Sequence, residues 1–382
     1  EMFSWKGFYI DSISIRDSIA SNLKLLHAGF VVMDPRDGSV RSWIGGIDFR
    51  TQPYDQIFAQ RQTASAFKPV LYAAALEQGA MPCQYLDNNQ IVLQDYENWQ
   101  PQNYDRSTGG KYSMAASLSK SMNIPTVNLF FQQDFEVLDA TWKGLGFTQE
   151  LLNKPATALG TTTASLYEMA IAYGTFANGG EAFEPVFIKA IRASDGTLLY
   201  QDPKIVSRDR ILKASSAELL TAMLQKAVNE GTGASMKSVY GVQMPLAGKT
   251  GTSQDYGDAW FLAYNPEMVV ATRVGATYPM IHFNKGSNGS GSALALPLVA
   301  KTLQGVQKNR SLKRKYFKSF ATITDENGFA LNCKDYVDDS EFEKFFDDFF
   351  AKKSTTFEKA SKRAKKKNKK SFFKRLFGKK QN

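Results

Sequence analysis

Residues 63–78, Thr-Ala-Ser-Ala-Phe-Lys-Pro-Val-Leu-Tyr-Ala-Ala-Ala-Leu-Glu-Gln, read as one helix that is apolar on nearly every side and ends at Gly79. Such a helix must be covered by other layers, so it sets the plan of the fold. Pro69 is tolerated only near the helix start, where backbone N–H groups lack partners anyway. That puts Ser65 and Lys68 in or beside the first turn.

Upstream, the apolar runs Ala28–Met33 and Val40–Gly46 flank Asp34-Pro35-Arg36-Asp37-Gly38, which predicts a hairpin. Two strands alone need a larger sheet or a helix to cover them. Residues 81–110 are polar and turn-rich and read as a surface excursion. Residues 113–122, 164–177 and 214–230 read as helices, the second ended by Asn178-Gly179-Gly180. Residues 246–252 and 258–276 read as strands, with a break at Asn265-Pro266. Helices and strands do not alternate regularly, so the expectation is α+β layers rather than a doubly wound sheet.

The 382 residues carry a net charge of +10, but it is unevenly spread. Residues 351–382 hold 14 Lys/Arg and one acid, whereas residues 1–350 hold 33 Lys/Arg and 36 acids. The body is near neutral and the basic character belongs to a tail. Before the tail, residues 335–350 carry seven acids interleaved with Phe342, Phe345, Phe346, Phe349 and Phe350. No run of about 18 apolar residues occurs, so no membrane-spanning helix is expected, and no secretory signal is visible. The chain starts at Glu1 and is expected to be a fragment or a processed product.

His27 and His282 are the two histidines, which excludes a metal centre built on several of them; packing or solvation is their expected role. Cys83 and Cys333 lack metal spacing and lie too far apart in sequence to infer a bridge. No metal and no cofactor is expected.

Three short motifs carry chemistry. In Ser65-Ala-Phe-Lys68, residues three apart share a helix face, so an amine can take the proton that a hydroxyl nucleophile must lose. A lysine serves as that base when burial or nearby charge lowers its pKa. Alone this spacing decides little, because it recurs at Ser21/Lys24, Ser117/Lys120 and Ser371/Lys374. Ser121-Met-Asn123, at a helix end, places a hydroxyl and an amide where they can face one cleft or merely cap the helix. Lys249-Thr250-Gly251-Thr252 puts a cation and two hydroxyls on a strand whose small residues allow close approach. That suits an extended peptide ending in a carboxylate, or else an ordinary edge strand.

In this order and context the three motifs resemble those of penicillin-binding proteins and serine β-lactamases. From about Ala28 to Gln307 the chain is similar to the transpeptidase domain of class A penicillin-binding proteins, bifunctional peptidoglycan synthases. The likeness includes Arg61–Pro69, Trp99-x-Pro101-x-Asn103, Ser121–Pro125, Ala170–Gly180, Lys249–Ser253 and Asp258–Phe261. It implies an antiparallel sheet flanked by helices. It also implies that Ser65 is acylated, Lys68 is its base, Ser121 relays a proton to the leaving amine, and Asn123 holds the substrate or Lys68. Lys249 would keep the site electropositive. Thr250, Gly251 and Thr252 would bind the carboxylate of a D-Ala-D-Ala stem peptide, and the backbone N–H groups of Ser65 and Thr252 would form the oxyanion hole. The partners so implied are a stem-peptide donor, an amine acceptor and, covalently, β-lactams, at an extracytoplasmic, membrane-associated location.

The expected organisation is a lead-in over 1–27, the transpeptidase domain over 28–307, an extension over 308–350 and a tail over 351–382. The family's membrane anchor and glycosyltransferase domain do not fit into 27 residues and are expected of a longer parent chain. One rival reading is a serine β-lactamase or β-lactam sensor. It needs a Glu that activates water, and Glu150-Leu-Leu-Asn153 has the wrong spacing for that role. The other rival is a non-catalytic envelope scaffold whose tail, with Phe372, Phe373, Leu376 and Phe377 among its cations, rests on an anionic membrane surface. Nucleic acid is the less favoured partner.

Overall fold

The central sheet draws its strands from two stretches of the chain about 200 residues apart. The computed structural model describes residues 1–203, 209–323 and 331–340. The tail and most of the acidic, Phe-rich segment therefore lie outside the described residues. The strands are β1 (His27–Met33), β2 (Val40–Ile44), β3 (Ala247–Thr252), β4 (Asp258–Asn265) and β5 (Met268–Gly275). They pair antiparallel throughout, in the order β3-β4-β5-β1-β2. The predicted hairpin of β1 and β2 is thus completed by β5, which the turn Asn265–Met268 folds back from β4. In that turn Asn265 Oδ1 accepts from the N–H groups of Glu267 and Met268 at 3.0 Å each.

Alternation along the strands feeds two cores. Trp260, Leu262 and Tyr264 of β4 join Val31 and Met33 on one face; Ala259, Phe261 and Ala263 join Phe30 and Val32 on the other. The helices that cover the sheet and carry the site are α1 (Lys68–Glu77), α2 (Met114–Ser119), α3 (Ile124–Phe131), α4 (Leu166–Ala177), α5 (Ala214–Asn229) and α6 (Gly291–Lys308). Of these, α1, α4 and α5 lie on the Trp260 side, and α6 covers the opposite face through Ala295, Leu296, Val299, Ala300 and Leu303. Nine residues of α1, Lys68 to Leu76, are buried, as its all-round apolar sequence requires.

The start of the chain is structured, with a hairpin of Met2–Ser4 and Gly7–Tyr9 followed by a helix at Ile15–Leu23. His27 opens β1 and is fully buried; burial, then the neighbouring Arg273 and Arg61, hold its pKa below the usual value. It is a packing residue, while His282 lies at the surface.

The pairing of the two cysteines, which sequence separation left open, is settled by the fold. Cys83 and Cys333, 250 residues apart, are joined in a disulfide. Sequence distance says nothing about spatial distance once a strand intervenes. Tyr336–Val337 adds to the edge of Lys111–Ser113, with Tyr336 opposite Tyr112. Asp335 pairs with Lys226 at 3.2 Å and Lys120 at 3.6 Å. The stretch 331–337 is therefore strapped to the body beside α2. Among the described residues no helix is long and apolar enough to cross a membrane, and no cluster of side chains is composed to hold a metal ion.

Candidate active site

Ser65 is not in the first turn of α1 but in a separate 3₁₀ turn, Ala64–Ala66, that leads into it. The turn enters through Ala64 at φ 49°, a left-handed conformation that a non-glycine residue adopts only when its surroundings enforce it. Those surroundings are specific. Ala64 N donates to Gly160 O at 2.9 Å, Thr63 N to Thr162 O at 3.0 Å, and Tyr173 OH to Ala66 O at 3.2 Å. Gly160 itself has φ 75°, and a Cβ there would overlap the Ala64 carbonyl. The half-buried Ser65 is thus presented on a held turn, immediately ahead of a buried helix.

Lys68, the first residue of α1, is fully buried. Its Nζ donates to Ser121 O at 2.8 Å, Met122 O at 3.0 Å and Asn123 Oδ1 at 2.7 Å, and lies 3.4 Å from Ser121 Oγ. From the other side Lys249 of β3, 1% exposed, donates to the same Ser121 Oγ at 2.8 Å and to Thr250 O at 3.0 Å. One hydroxyl therefore bridges two buried amines. Among the described residues no carboxylate contacts either amine. Burial, and then the charge of Lys249, push the Lys68 pKa well down. Burial lowers that of Lys249 to about 7. Two buried ammonium groups with no counter-ion cannot both be stable, so a neutral amine is available here at ordinary pH.

The Ser121–Asn123 segment is a link between α2 and α3, with Ser121 at φ 59°. Neither side chain caps a helix. Asn123 Oδ1 serves Lys68, while its Nδ2 donates to Gln102 O at 2.7 Å. The cap of α3 comes from Asn103, whose Oδ1 accepts from Asn123 N at 2.7 Å and Ile124 N at 3.1 Å. Its Nδ2 donates to Asn88 Oδ1 at 2.7 Å and Ser107 O at 2.8 Å. The polar excursion 81–110 is therefore not wholly a surface feature, since Asn88 and Asn103 are buried within it. Replacing Asn103 with alanine leaves two helix N–H groups without this acceptor and is expected to cost about 2–3 kcal/mol. Denaturant unfolding measures this, together with slower labelling by penicillin as Asn123 loses its anchor.

Strand β3 forms the edge of the sheet and abuts the Ser65 turn. A Cβ on Gly251 would come within 2.9 Å of Trp260 Cβ and 3.0 Å of Ala66 Cβ, so only glycine lets the strand lie this close. Thr252 Oγ1 accepts from Gly291 N at 2.9 Å. Thr250 Oγ1 donates to Thr232 Oγ1 at 2.7 Å. Sequence reasoning missed Thr232. The signal was Gly231-Thr232-Gly233 just after α5, where a Cβ on Gly231 would overlap the carbonyl of Ser119 at the end of α2. Asp258, at the start of β4, binds the buried Arg273 through Nε at 2.8 Å and through a second guanidinium nitrogen. Its N–H reaches Ser253 Oγ at 2.8 Å, which fixes the turn beyond Thr252.

Among the described residues, neither Glu150 nor Glu168 is set to activate water. Glu150 is exposed on the loop after residues 135–144. The buried Glu168 is consumed as the capping box of α4, accepting from Ser165 N and Oγ at 2.7 Å each, Thr148 Oγ1 at 2.6 Å and Gln60 Nε2 at 2.9 Å.

An antiparallel sheet between helical layers, with a Ser-x-x-Lys turn, a Ser-x-Asn link and a Lys-Thr-Gly edge strand brought into contact, is matched by a known family. The penicillin binding protein transpeptidase domain matches residues 28–295. The chain belongs to that family, whose chemistry is acyl transfer. It is 29% identical over 331 residues to penicillin-binding protein 1A of Rickettsia conorii, covering 80% of this chain and 41% of the relative. It is 31% identical over 277 residues to that of Aquifex aeolicus, covering 72% and 37% respectively. The chain thus spans about two fifths of the length of the curated relatives it matches. Among solved structures, penicillin-binding protein 1A of Haemophilus influenzae superposes with a TM-score of 0.71 at 21% identity, covering 78% of this chain and 49% of that one. The Mycobacterium tuberculosis PonA1 protein in complex with penicillin V superposes with a TM-score of 0.67 at 23% identity, covering 84% and 88%. These two share the fold.

Proposed function

We propose that Ser65, Lys68, Ser121, Asn123 and Lys249 form the acyl-enzyme site of a serine D,D-transpeptidase that cross-links peptidoglycan stem peptides. The observation that carries this reading is the single Ser121 hydroxyl bridging two buried, carboxylate-free lysines beside the Ser65 turn. Neutral Lys68 takes the Ser65 proton as Oγ attacks the carbonyl of the penultimate D-Ala. The N–H groups of Ser65 and Thr252 bind the oxyanion. Protonated Lys249 passes a proton through Ser121 to the amine of the departing D-Ala, while Thr250 and Thr252 hold that residue's carboxylate. The acceptor peptide's amine then attacks the ester and gives its proton through Ser121 to the now neutral Lys249, while protonated Lys68 returns a proton to the departing Ser65 Oγ, which leaves an amide cross-link and restores both lysines. A β-lactam acylates the same oxygen and is released slowly.

The parent protein is proposed to be a class A synthase that also polymerises glycan, anchored in the membrane and working outside the cytoplasm. Its relatives carry the penicillin-binding protein 1A name and are longer than this chain. The alternative, a β-lactamase, lacks support, because Glu150 is exposed and Glu168 is occupied. Mass spectrometry after penicillin treatment tests the reading. One adduct mapping to Ser65 and persisting for many minutes is expected. An adduct elsewhere, or rapid release, overturns it.

A further inference from the structure

Beside Asn123 opens a cavity of about 380 Å³ lined by Gln90, Gln102, Asn103, Arg106 and Thr108. That volume is in the range of sites that take a small ligand or part of a peptide. Its walls are built rather than incidental. Gln90 Nε2 donates to Pro101 O at 3.1 Å, Asn103 ties Asn88 to Ser107, and Gly109 N donates to Asn88 O at 3.0 Å. The cavity is joined to the reacting groups by one residue: the Gln102 carbonyl accepts from Asn123 Nδ2, and Asn123 Oδ1 accepts from Lys68 Nζ.

The lining is polar and carries one cation and no carboxylate. The adjacent Asp105 is occupied within its own turn, accepting from Ser107 N at 3.0 Å and Ser107 Oγ at 2.7 Å. Among the described residues no carboxylate pairs with the exposed Arg106 guanidinium. A planar guanidinium, three carboxamides and a hydroxyl around one cavity complement a carboxylate better than an apolar or cationic group.

We propose that this cavity is a subsite for a carboxylate carried by the stem peptide upstream of its D-Ala-D-Ala end, with Arg106 as the specificity-determining residue. The proposal rests on the acyl-transfer reading above. The peptide's reacting end lies against β3, and its upstream part passes Asn123 to reach Arg106. The subsite selects donors by charge at a position that a small β-lactam does not occupy.

The test compares two synthetic stem pentapeptides ending in D-Ala-D-Ala, one with a free carboxylate and one with a carboxamide at the upstream residue. Each competes with a fluorescent penicillin for Ser65, and protection is referred to each variant's own rate of labelling without peptide. The carboxylate peptide is expected to protect at about three- to fivefold lower concentration, as a charge-assisted contact at an exposed site predicts. Arg106→Gln is expected to erase that difference and Arg106→Lys to keep part of it. Equal protection by both peptides, or a preference that survives Arg106→Gln, overturns the subsite. Absence of labelling at Ser65 overturns the catalytic reading instead. Peptide-observed NMR on the same pair then makes the same comparison, so the cavity is judged separately.

Discussion

Lys68→Met is expected to slow acylation by penicillin at least about 10³-fold, the scale of losing a positioned general base, while Ser65→Ala leaves no covalent product at all. Methionine keeps the apolar stem in the buried slot at the start of α1 but removes the amine that meets Ser121 O, Met122 O and Asn123 Oδ1. The pH profile separates loss of the base from loss of structure. With the native chain, acylation rises with pH as Lys68 loses its proton, far below the range of a surface lysine, because burial and Lys249 disfavour its charge. It falls again above about 7, where Lys249 becomes neutral and the bridging Ser121 loses its proton source. Because the amines share one hydroxyl, the two limbs belong to the pair. In Lys68→Met the acid limb should disappear and a slow residual rate remain. A variant that melts like the native chain yet keeps both limbs and most of its rate would show that Lys68 is not the base.

Much of this site was legible because its parts are local. Pro69 marks where α1 starts, and the apolar run behind it demands burial on all sides, so the surroundings of Lys68 followed from sequence. Gly251 between two threonines signalled a strand under close approach, and the structure supplies the neighbour, Ala66. What sequence could not show was pairing at a distance. Nothing near Asn103 says that its amide caps a helix that begins about 20 residues later, and nothing near Thr232 says that it meets Thr250. The strained φ of Ala64 and Ser121 is equally silent, since both residues have the side chains of ordinary turns and are held by groups elsewhere. Helix α6 was hidden for another reason: Pro297 lies inside it, where a reading of local signals expects a stop. The bond from Cys83 to Cys333 belongs to the same class of long-range fact.

That bond carries the second large effect. It closes a loop across 250 residues, so opening it frees most of the chain in the unfolded state. Chain-entropy arithmetic puts the cost of its loss near the top of the usual range, about 3–5 kcal/mol. In a chain of this size that corresponds to a melting temperature about 4–6 °C lower. Cys83→Ser, Cys333→Ser and chemical reduction of the native chain should give similar drops, measured by calorimetry; an unchanged melt after verified reduction would count against the stabilising role of the bridge. The loss should also be graded along the chain. Tyr336 and Val337 pair with the edge of Lys111–Ser113, Asp335 binds Lys120 and Lys226, and Leu331 packs against the core. Without the covalent tie these contacts must hold the strap alone, and two of them are ion pairs at least a quarter exposed, each worth little. Amide exchange at residues 111–113 should therefore accelerate more than exchange in β4 and β5. Lys120 immediately precedes Ser121, so loosening the strap reaches the link that holds both lysines. Labelling by penicillin is expected to slow a few-fold rather than stop, because Asn103 still caps α3 and Gln102 still holds Asn123.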